Sequence, residues 1–143
     1  MSALTPRIDT IDGKITVLET TVAIVVNTST TAASASVPLK YTNIIKDTHS
    51  AYSAGTGKFT APVAGLYMIT AGVQHGITTI ALNIRVNDNS VISNNQSVAS
   101  NNVGVSGMWP LEIGDTVDIV PTSAITAQGG AVPNNFMIAR LGD

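Results

Sequence analysis

The two histidines are the first residues to test for chemistry, because imidazole is a common metal ligand and general acid or base. His49 and His75 stand 26 positions apart, and neither belongs to an HxxxH or HExxH pattern. The two glutamates, Glu19 and Glu112, are too far apart in sequence to suggest a catalytic carboxylate pair. Cysteine is missing from the sequence. We therefore expect no enzymatic activity, no metal centre and no cofactor.

Two shorter patterns also fall short of a reactive site. The segment 104–108 reads GVSGM and lacks the last glycine of a nucleophile elbow, so Ser106 is interpreted as a strand residue. Asn87, Asp88 and Asn89 offer oxygen ligands for calcium, but the spacing of an EF-hand loop is missing. Asx residues in a row also suit a tight hairpin turn, which is the structural interpretation.

Recognition of a partner is the other chemistry that the sequence allows. Trp109 beside Pro110 suits either a platform for stacking on sugars or an anchor in the core, and the scarcity of aromatic residues favours the core. The segments 93–102 and 127–135 are rich in Asn, Gln, Ser and Gly. Such amides suit glycan or protein surfaces, and the alternative is an ordinary solvated loop.

The composition limits the scaffold that carries these residues. The chain has 143 residues, of which 44% are hydrophobic and 11% charged, with a net charge of −2. An average soluble chain carries about 25% charged residues, so a surface this poor in charge favours burial in an oligomer. Seven scattered Lys and Arg residues argue against nucleic acid as a partner. No continuous apolar run is long enough for a signal peptide or a spanning helix, so we expect no membrane insertion.

A heptad pattern occupies the beginning of the chain. Its apolar residues are separated alternately by four and three positions, which predicts a coiled-coil stalk over residues 1–26. Isoleucine at both core positions favours trimers or higher oligomers, and an amphipathic helix packed on its own domain is the alternative. The predicted stalk contacts are Leu4, Ile8, Ile11, Ile15, Leu18, Val22 and Val25.

The rest of the chain predicts a linker and an all-β head. Residues 27–36 contain no charge and no large apolar side chain, which is typical of a linker. From residue 37 to 143, short β-rich runs recur between turn signals and predict a sandwich or jelly roll. The predicted strands are 38–45, 65–73, 78–86, 90–92, 103–109, 116–120 and 136–141.

The segment 52–67 carries a recognisable signature. It reads YSAGTGKFTAPVAGLY, and it resembles the globular head of complement subcomponent q, whose fold superfamily includes tumour necrosis factor. A second match, LEIGDTV at 111–117, is similar to a late element of that family. The residues that carry the resemblance are Tyr52, Gly57, Phe59, Pro62, Gly65, Tyr67, Gly114 and Asp115.

The resemblance implies a ten-stranded jelly roll that assembles as a homotrimer, often on a trimeric stalk. The closing strand departs from the family in having Ile138 where a glycine is usual, which puts close packing at the trimer axis in question. The chain has no Gly-x-y repeat, so the stalk is a coiled coil and not collagen.

A short coiled coil carrying such a head resembles virion proteins of tailed bacteriophages. We therefore expect a non-enzymatic homotrimer displayed on the virion surface as a capsid decoration or head fibre. Its expected partners are itself, other virion proteins through the N-terminus, and a host-surface glycan or protein. The alternative is the receptor-binding tip of a tail fibre or a bacterial adhesin that recognises cell-surface glycans.

Overall fold

The computed structural model describes residues 21–76, 80–95 and 101–143, and this part of the chain contains strands, turns and loops but no helix. The strands are β1 Ala23–Asn27, β2 Ala32–Ala33, β3 Asn43–Asp47, β4 Tyr52–Ser53, β5 Lys58–Thr60, β6 Gly65–Gln74, β7 Ala81–Val86, β8 Asn89–Asn95, β9 Asn102–Leu111, β10 Thr116–Pro121, β11 Ile125–Thr126 and β12 Asn135–Gly142.

Ten of these strands form two packed sheets. The first sheet has the order β3-β1-β12-β6-β9, and the second has the order β4-β5-β10-β7-β8. Strands β2 and β11 form a small separate pair. The neighbours β1 and β12 are far apart in sequence, as are β6 and β9, so the sheets assemble through long connections of the Greek-key kind. The all-β jelly roll predicted from the sequence is confirmed.

The core forms where alternate residues of both sheets face each other. In β6, Tyr67, Ile69, Ala71 and Val73 are buried, while their neighbours in sequence point the other way. This period of two is the pattern of a strand with one covered face. Complete burial of each large apolar side chain favours the folded state by about 1.5–3 kcal/mol.

Aromatic pairs connect the sheets through the core. Phe136 lies 5.7 Å from Tyr41 and 6.1 Å from Tyr52 between ring centroids, and Phe59 lies 5.8 Å from Tyr67. The Tyr52 hydroxyl accepts a hydrogen bond of 3.0 Å from the Tyr41 backbone N–H. Burial raises the pKa of Tyr52 to about 12, so this phenol stays neutral at physiological pH.

The hairpin predicted around residue 88 is confirmed. Val86 pairs with Asn89, so Asn87 and Asp88 are the two residues of the turn. Their φ angles of 50° and 66° are left-handed, which is the conformation that a type I′ turn requires and that Asx residues tolerate.

The prediction that the stalk extends to residue 26 is wrong. Residues 23–27 form strand β1 and pair with both β12 and β3, so Val22 and Val25 are not coiled-coil positions. Val22, Ile24 and Val26 are buried in the head core. A run of β-branched residues fits the period of two of a strand as well as a heptad, and here pairing with neighbouring strands makes it a strand. The other predicted stalk contacts, Leu4, Ile8, Ile11, Ile15 and Leu18, lie outside the described residues.

The predicted linker also differs from the structure. Residue 27 belongs to β1, and Ala33 of β2 pairs with Ile125 of β11. The Ser36 backbone N–H donates to the Pro121 carbonyl over 2.9 Å. Small uncharged side chains allow this segment to pack closely on the head. Because β1 and the segment after it are both part of the head, the head begins near residue 22. The first predicted head strand, 38–45, is observed as β3 and begins only at residue 43.

Candidate functional site

The aromatic residues of the signature are part of the core. Tyr52, Phe59 and Tyr67 are all buried, and the Tyr67 hydroxyl donates to the Val63 carbonyl over 2.5 Å. Gly57 has a φ of 75°, and a Cβ at this position would collide with the Leu39 carbonyl. A side chain at residue 57 would thus meet both backbone strain and backbone atoms.

The remaining signature residues build turns at one end of the sandwich. Pro62 is half-buried in the bend between β5 and β6, and Gly65 leaves no room for a side chain beside the Gly142 carbonyl. Gly114 has a φ of 90° in the turn before β10. The Asp115 carboxylate accepts hydrogen bonds from the Asn87 amide (2.9 Å) and the Glu112 backbone N–H (2.8 Å).

Asp115 is held by hydrogen bonds within the turn and from Asn87. The hydrogen bond from Asn87 is the main reason that its pKa lies below the usual value, and the Glu112 N–H acts in the same direction. Asp115 therefore stabilises the turn.

The most extended surface feature is the outward side of the first sheet. Along the described strands β1, β12, β6 and β9, no side chain that points away from the core is charged. We call these positions the uncharged face. They are Ala23, Val25, Asn27, Asn135, Met137, Ala139, Leu141, Leu66, Met68, Thr70, Gly72, Gln74, Asn102, Gly104, Ser106, Met108 and Pro110.

Three methionines lie close together on the uncharged face. Met68 pairs directly with Met108, and Met137 lies on β12 opposite Thr70. Their side chains are 39%, 53% and 37% exposed, respectively. Glycines and small residues surround them, so the backbone of another chain can approach closely. Methionine enrichment and charge depletion are typical of the centre of a protein–protein interface.

Charge begins only at the margins of this face. Lys46 on the edge strand β3 pairs with Val25, and it stands at one side of the uncharged face. Near the end of β12, the Arg140 guanidinium donates to the Ala64 carbonyl (2.9 Å) and to the Asp143 carboxylate (2.6 Å). An apolar centre with polar margins is the usual layout of an association surface.

Ile138 does not disturb the uncharged face. The sequence had raised the question of whether this isoleucine obstructs packing of the last strand between protomers. Ile138 is buried and points into the core, whereas its neighbours Met137 and Ala139 point outward. The bulk that replaces the family glycine therefore fills the inside of the sandwich.

The second sheet carries an ion-pair cluster on its outward side. The Arg85 guanidinium makes two hydrogen bonds to Asp118, of 2.7 and 2.8 Å, and Asp118 is buried. Lys58 Nζ lies 3.7 Å from Asp118 and 2.7 Å from Asp88. Because Arg85 and Asp118 stand opposite each other in the register of β7 and β10, the pair fixes this register.

The histidines are not brought together. His75 is buried next to the small β2–β11 pair, and its backbone N–H donates to the Asn101 carbonyl over 2.7 Å. The His49 Nδ1 lies 2.7 Å from the Thr48 hydroxyl in the loop before β4. Among the described residues, no three His, Cys, Asp or Glu side chains are grouped so that they could hold a metal ion.

Trp109 packs against the core, as the core interpretation predicted, and Ser106 is an exposed strand residue on the uncharged face. The polar segment 93–102 is described only in part. In the described portion of the chain, no helix is long and apolar enough to cross a membrane.

The segment 127–135 is more ordered than its composition suggested, because a buried asparagine organises it. The Asn134 amide donates to the Gln128 carbonyl (2.7 Å) and the Gly130 carbonyl (2.6 Å). Its side-chain oxygen accepts from the Gln74 backbone N–H over 2.8 Å. Sequence reasoning missed this residue, since nothing in the local pattern distinguishes Asn134 from the Asn135 beside it.

The uncharged face was also missed as a surface. The sequence did contain a signal for it, because the segments 65–74 and 102–111 have no charged residue on either side of the strand. Only the register of the first sheet shows that these positions lie side by side.

Comparison with known proteins agrees with this fold. The sequence model of the C1q domain matches residues 22–136. The chain is similar to the globular domain of the zebrafish complement 1qA protein, with 20% identity, a TM-score of 0.61, and coverage of 84% of this chain and 97% of that one. It is also similar to the Eiger TNF from S. frugiperda, with 11% identity, a TM-score of 0.67, and coverage of 86% and 94%. No curated protein matches the sequence.

Proposed function

This chain belongs to the C1q domain family, and we propose on that basis that it is a non-enzymatic head domain whose three copies join through the uncharged face. C1q and TNF-like domains are often trimeric and typically non-enzymatic. The uncharged face is the observation that carries the proposal. Methionines and small residues cover four adjacent strands there, and water is a poor partner for such a surface.

Copies of the same chain are the occupant that best fits this face. The opposite sheet carries the Arg85–Asp118 ion pair and further charges, so the two sides of the head differ in character. If neighbouring copies in a closed ring contact one another through the uncharged face, the charged sheet of each copy faces the solvent. That arrangement also removes the surface with the fewest charges from water.

The oligomeric state tests this proposal directly. Sedimentation equilibrium of the full chain should give three times the 14.7 kDa of one chain. A monomeric or dimeric mass across the micromolar range would overturn the proposal. Replacement of Met68 by Asp would place a charge in the centre of the interface and should yield monomers with an unchanged β-sheet circular dichroism spectrum.

A coiled-coil stalk formed by residues before β1 is the second part of the proposal. The contacts Leu4, Ile8, Ile11, Ile15 and Leu18 keep the heptad spacing up to the point where the head begins. The double substitution Ile11→Asp and Ile15→Asp should remove a helical signal from circular dichroism while the heads remain trimeric. An unchanged spectrum would count against the stalk.

We place the trimer on the virion surface of a tailed bacteriophage, as a capsid decoration or head fibre held by other virion proteins through its N-terminus. The heptad segment, the small head and the low charge support this assignment. Electron microscopy with antibodies against the head should label capsids of particles made in the host that carries this coding sequence. Labelling of tails alone would favour the tail-fibre alternative, and unlabelled particles would refute both.

Adhesion to cell-surface glycans is the second candidate function, as in the tip of a tail fibre or a bacterial adhesin. The ordered polar segment 127–135 favours it, because the buried Asn134 holds amide and carbonyl groups in fixed positions. A glycan array with the trimer tests this role. Reproducible binding to one class of glycans would support it, and silence across the array would reject it.

A further inference from the structure

A groove along strands β4 and β5 lies next to the ion-pair cluster of the second sheet and shares Lys58 with it. Its volume is about 450 Å³, and it lies between the loop before β4, the β4–β5 turn and the start of β10. We call it the β4–β5 groove. It lies beside strands of the second sheet, whereas the uncharged face belongs to the first sheet.

The groove is lined by several hydroxyl-bearing residues and by two basic residues. Ser50, Ser53, Thr56 and Thr60 contribute to its lining, and so do His49 and Lys58. None of the described residues that line it is acidic. Hydroxyl groups both donate and accept hydrogen bonds, as sugar hydroxyls do, and a lysine ammonium is a point charge for an anion.

Two of these hydroxyls are held in place by the backbone. Ser53 Oγ accepts from the Thr56 N–H and Thr56 Oγ1 accepts from the Lys58 N–H, each over 3.3 Å. A hydroxyl that accepts one hydrogen bond still has a proton to donate. Both side chains can therefore donate to a ligand without losing these contacts.

The loop that forms one wall of the groove is fixed in advance of any ligand. The Asp47 carboxylate accepts hydrogen bonds from the Ala51 N–H (2.8 Å) and the Tyr52 N–H (2.9 Å). Ser50, at the tip of this loop, has a left-handed φ of 50°, which costs energy for a residue other than glycine. A rigid wall reduces the entropy lost on binding.

Lys58 already has an anionic partner, and that partner is replaceable. Its Nζ lies 2.7 Å from Asp88, whose side chain is 64% exposed at the tip of the β7–β8 hairpin. Asp118 is farther away, at 3.7 Å, and remains bound to Arg85. A carboxylate of a ligand could take the place of Asp88 without leaving a buried charge unpaired.

We propose that the β4–β5 groove binds an acidic saccharide, with the sugar hydroxyls on Ser53, Thr56 and Thr60 and the carboxylate on Lys58. The proposal requires neither the trimer nor the virion. It gives the charged, outward side of the head a binding role that the uncharged face does not supply.

Titration with defined oligosaccharides tests this inference. The probes are a hyaluronan tetrasaccharide, which alternates glucuronic acid with N-acetylglucosamine, and neutral chitotetraose, each added to the full chain and followed by calorimetry and amide NMR shifts. We expect the acidic probe to bind at least tenfold more tightly and to shift amides of residues 49–60. Equal affinities, shifts elsewhere, or no binding of either probe would overturn the proposal. Inorganic phosphate as a third probe shows whether an anion alone is sufficient, and phosphate binding as tight as that of the acidic sugar would also reject it.

Two substitutions with opposite expected effects make the test sharper. Lys58→Gln should lower the affinity for the acidic probe at least tenfold. Asp88→Asn should raise this affinity several-fold, because it frees the Lys58 ammonium from its ion pair with Asp88. Lys46→Gln removes the same charge at the edge of the other sheet and should change nothing. Weaker binding in Asp88→Asn, or equal losses in the two lysine variants, would reject the site. If Lys58→Gln does not fold, Thr60→Val and Asp88→Asn still decide the question.

Discussion

Met68 lies directly opposite Met108 across the antiparallel pair of β6 and β9, and both side chains point away from the core. These two thioethers mark the middle of a surface in which neighbouring strands also lack outward charges. An isolated sandwich gains nothing from such a surface, whereas an oligomer buries it.

The double substitution Met68→Asp and Met108→Asp should raise the dissociation constant of the oligomer at least 100-fold, because two like charges would be buried in an apolar interface. Sedimentation velocity over a concentration series measures the change. Ile113→Asp is the matched control, since Ile113 is 72% exposed in a turn outside the uncharged face. Equal dissociation in the control would mean that the face is not the interface.

Arg85→Met should lower the free energy of unfolding by roughly 3–5 kcal/mol, because it leaves the carboxylate of Asp118 buried without its bidentate partner. Urea denaturation gives the value. Asp143→Asn breaks the pair between Arg140 and the exposed Asp143, and it should cost less than about 1 kcal/mol. Similar costs for the two variants would show that burial of the Arg85 pair has little effect.

Asn134→Ala should destabilise the head by about 2–4 kcal/mol, since the Gln74 N–H and two carbonyls of the segment 128–130 lose their partner. Thermal and urea unfolding both report this loss. Asn135→Ala removes an exposed hydrogen bond to the Val132 carbonyl and should cost less than about 1 kcal/mol. A larger cost at residue 135 would contradict the role assigned to Asn134.

Two glycine substitutions separate backbone strain from steric collision. Gly114→Ala should cost about 1 kcal/mol, because its φ is 90° but no atom lies near the added methyl group. Gly57→Ala should cost roughly 1–3 kcal/mol more, because its methyl group would also meet the Leu39 carbonyl. Chemical denaturation of both variants gives the difference. Equal costs would show that the loop at Leu39 moves aside easily.

Asp115 should make the stability of the head depend on pH. Its pKa in the folded state is lowered from 3.8 by the hydrogen bonds from Asn87 and Glu112. The unfolded chain therefore takes up a proton first as the pH falls, so this contribution is present above about pH 4 and is lost at lower pH. The difference in unfolding free energy between the native chain and Asp115→Asn should shrink between pH 6 and pH 3. A difference that stays constant would contradict this role.

Much of the head can be predicted from the amino-acid sequence, because the patterns that specify it are local. The β-rich runs at 65–73 and 103–109 predicted β6 and β9, and the Asx residues predicted the hairpin. The resemblance carried by residues 52–67 implied the jelly roll. Each of these patterns depends on residues that are near one another in the chain. The heptad spacing before residue 20 stays a prediction.

The start of the head and the surfaces on it follow from contacts between residues that are distant in sequence. Val22 and Val25 fit a heptad and a strand equally well, but Val25 pairs with Met137 of β12 and Val22 is buried in the core, so both belong to the head. The contact of Arg85 with Asp118, the buried position of Asn134 and the alignment of Met68 with Met108 join residues distant in sequence. Such contacts depend on strand order and register, which no local spacing encodes, and they create the surfaces on which the proposed functions rest.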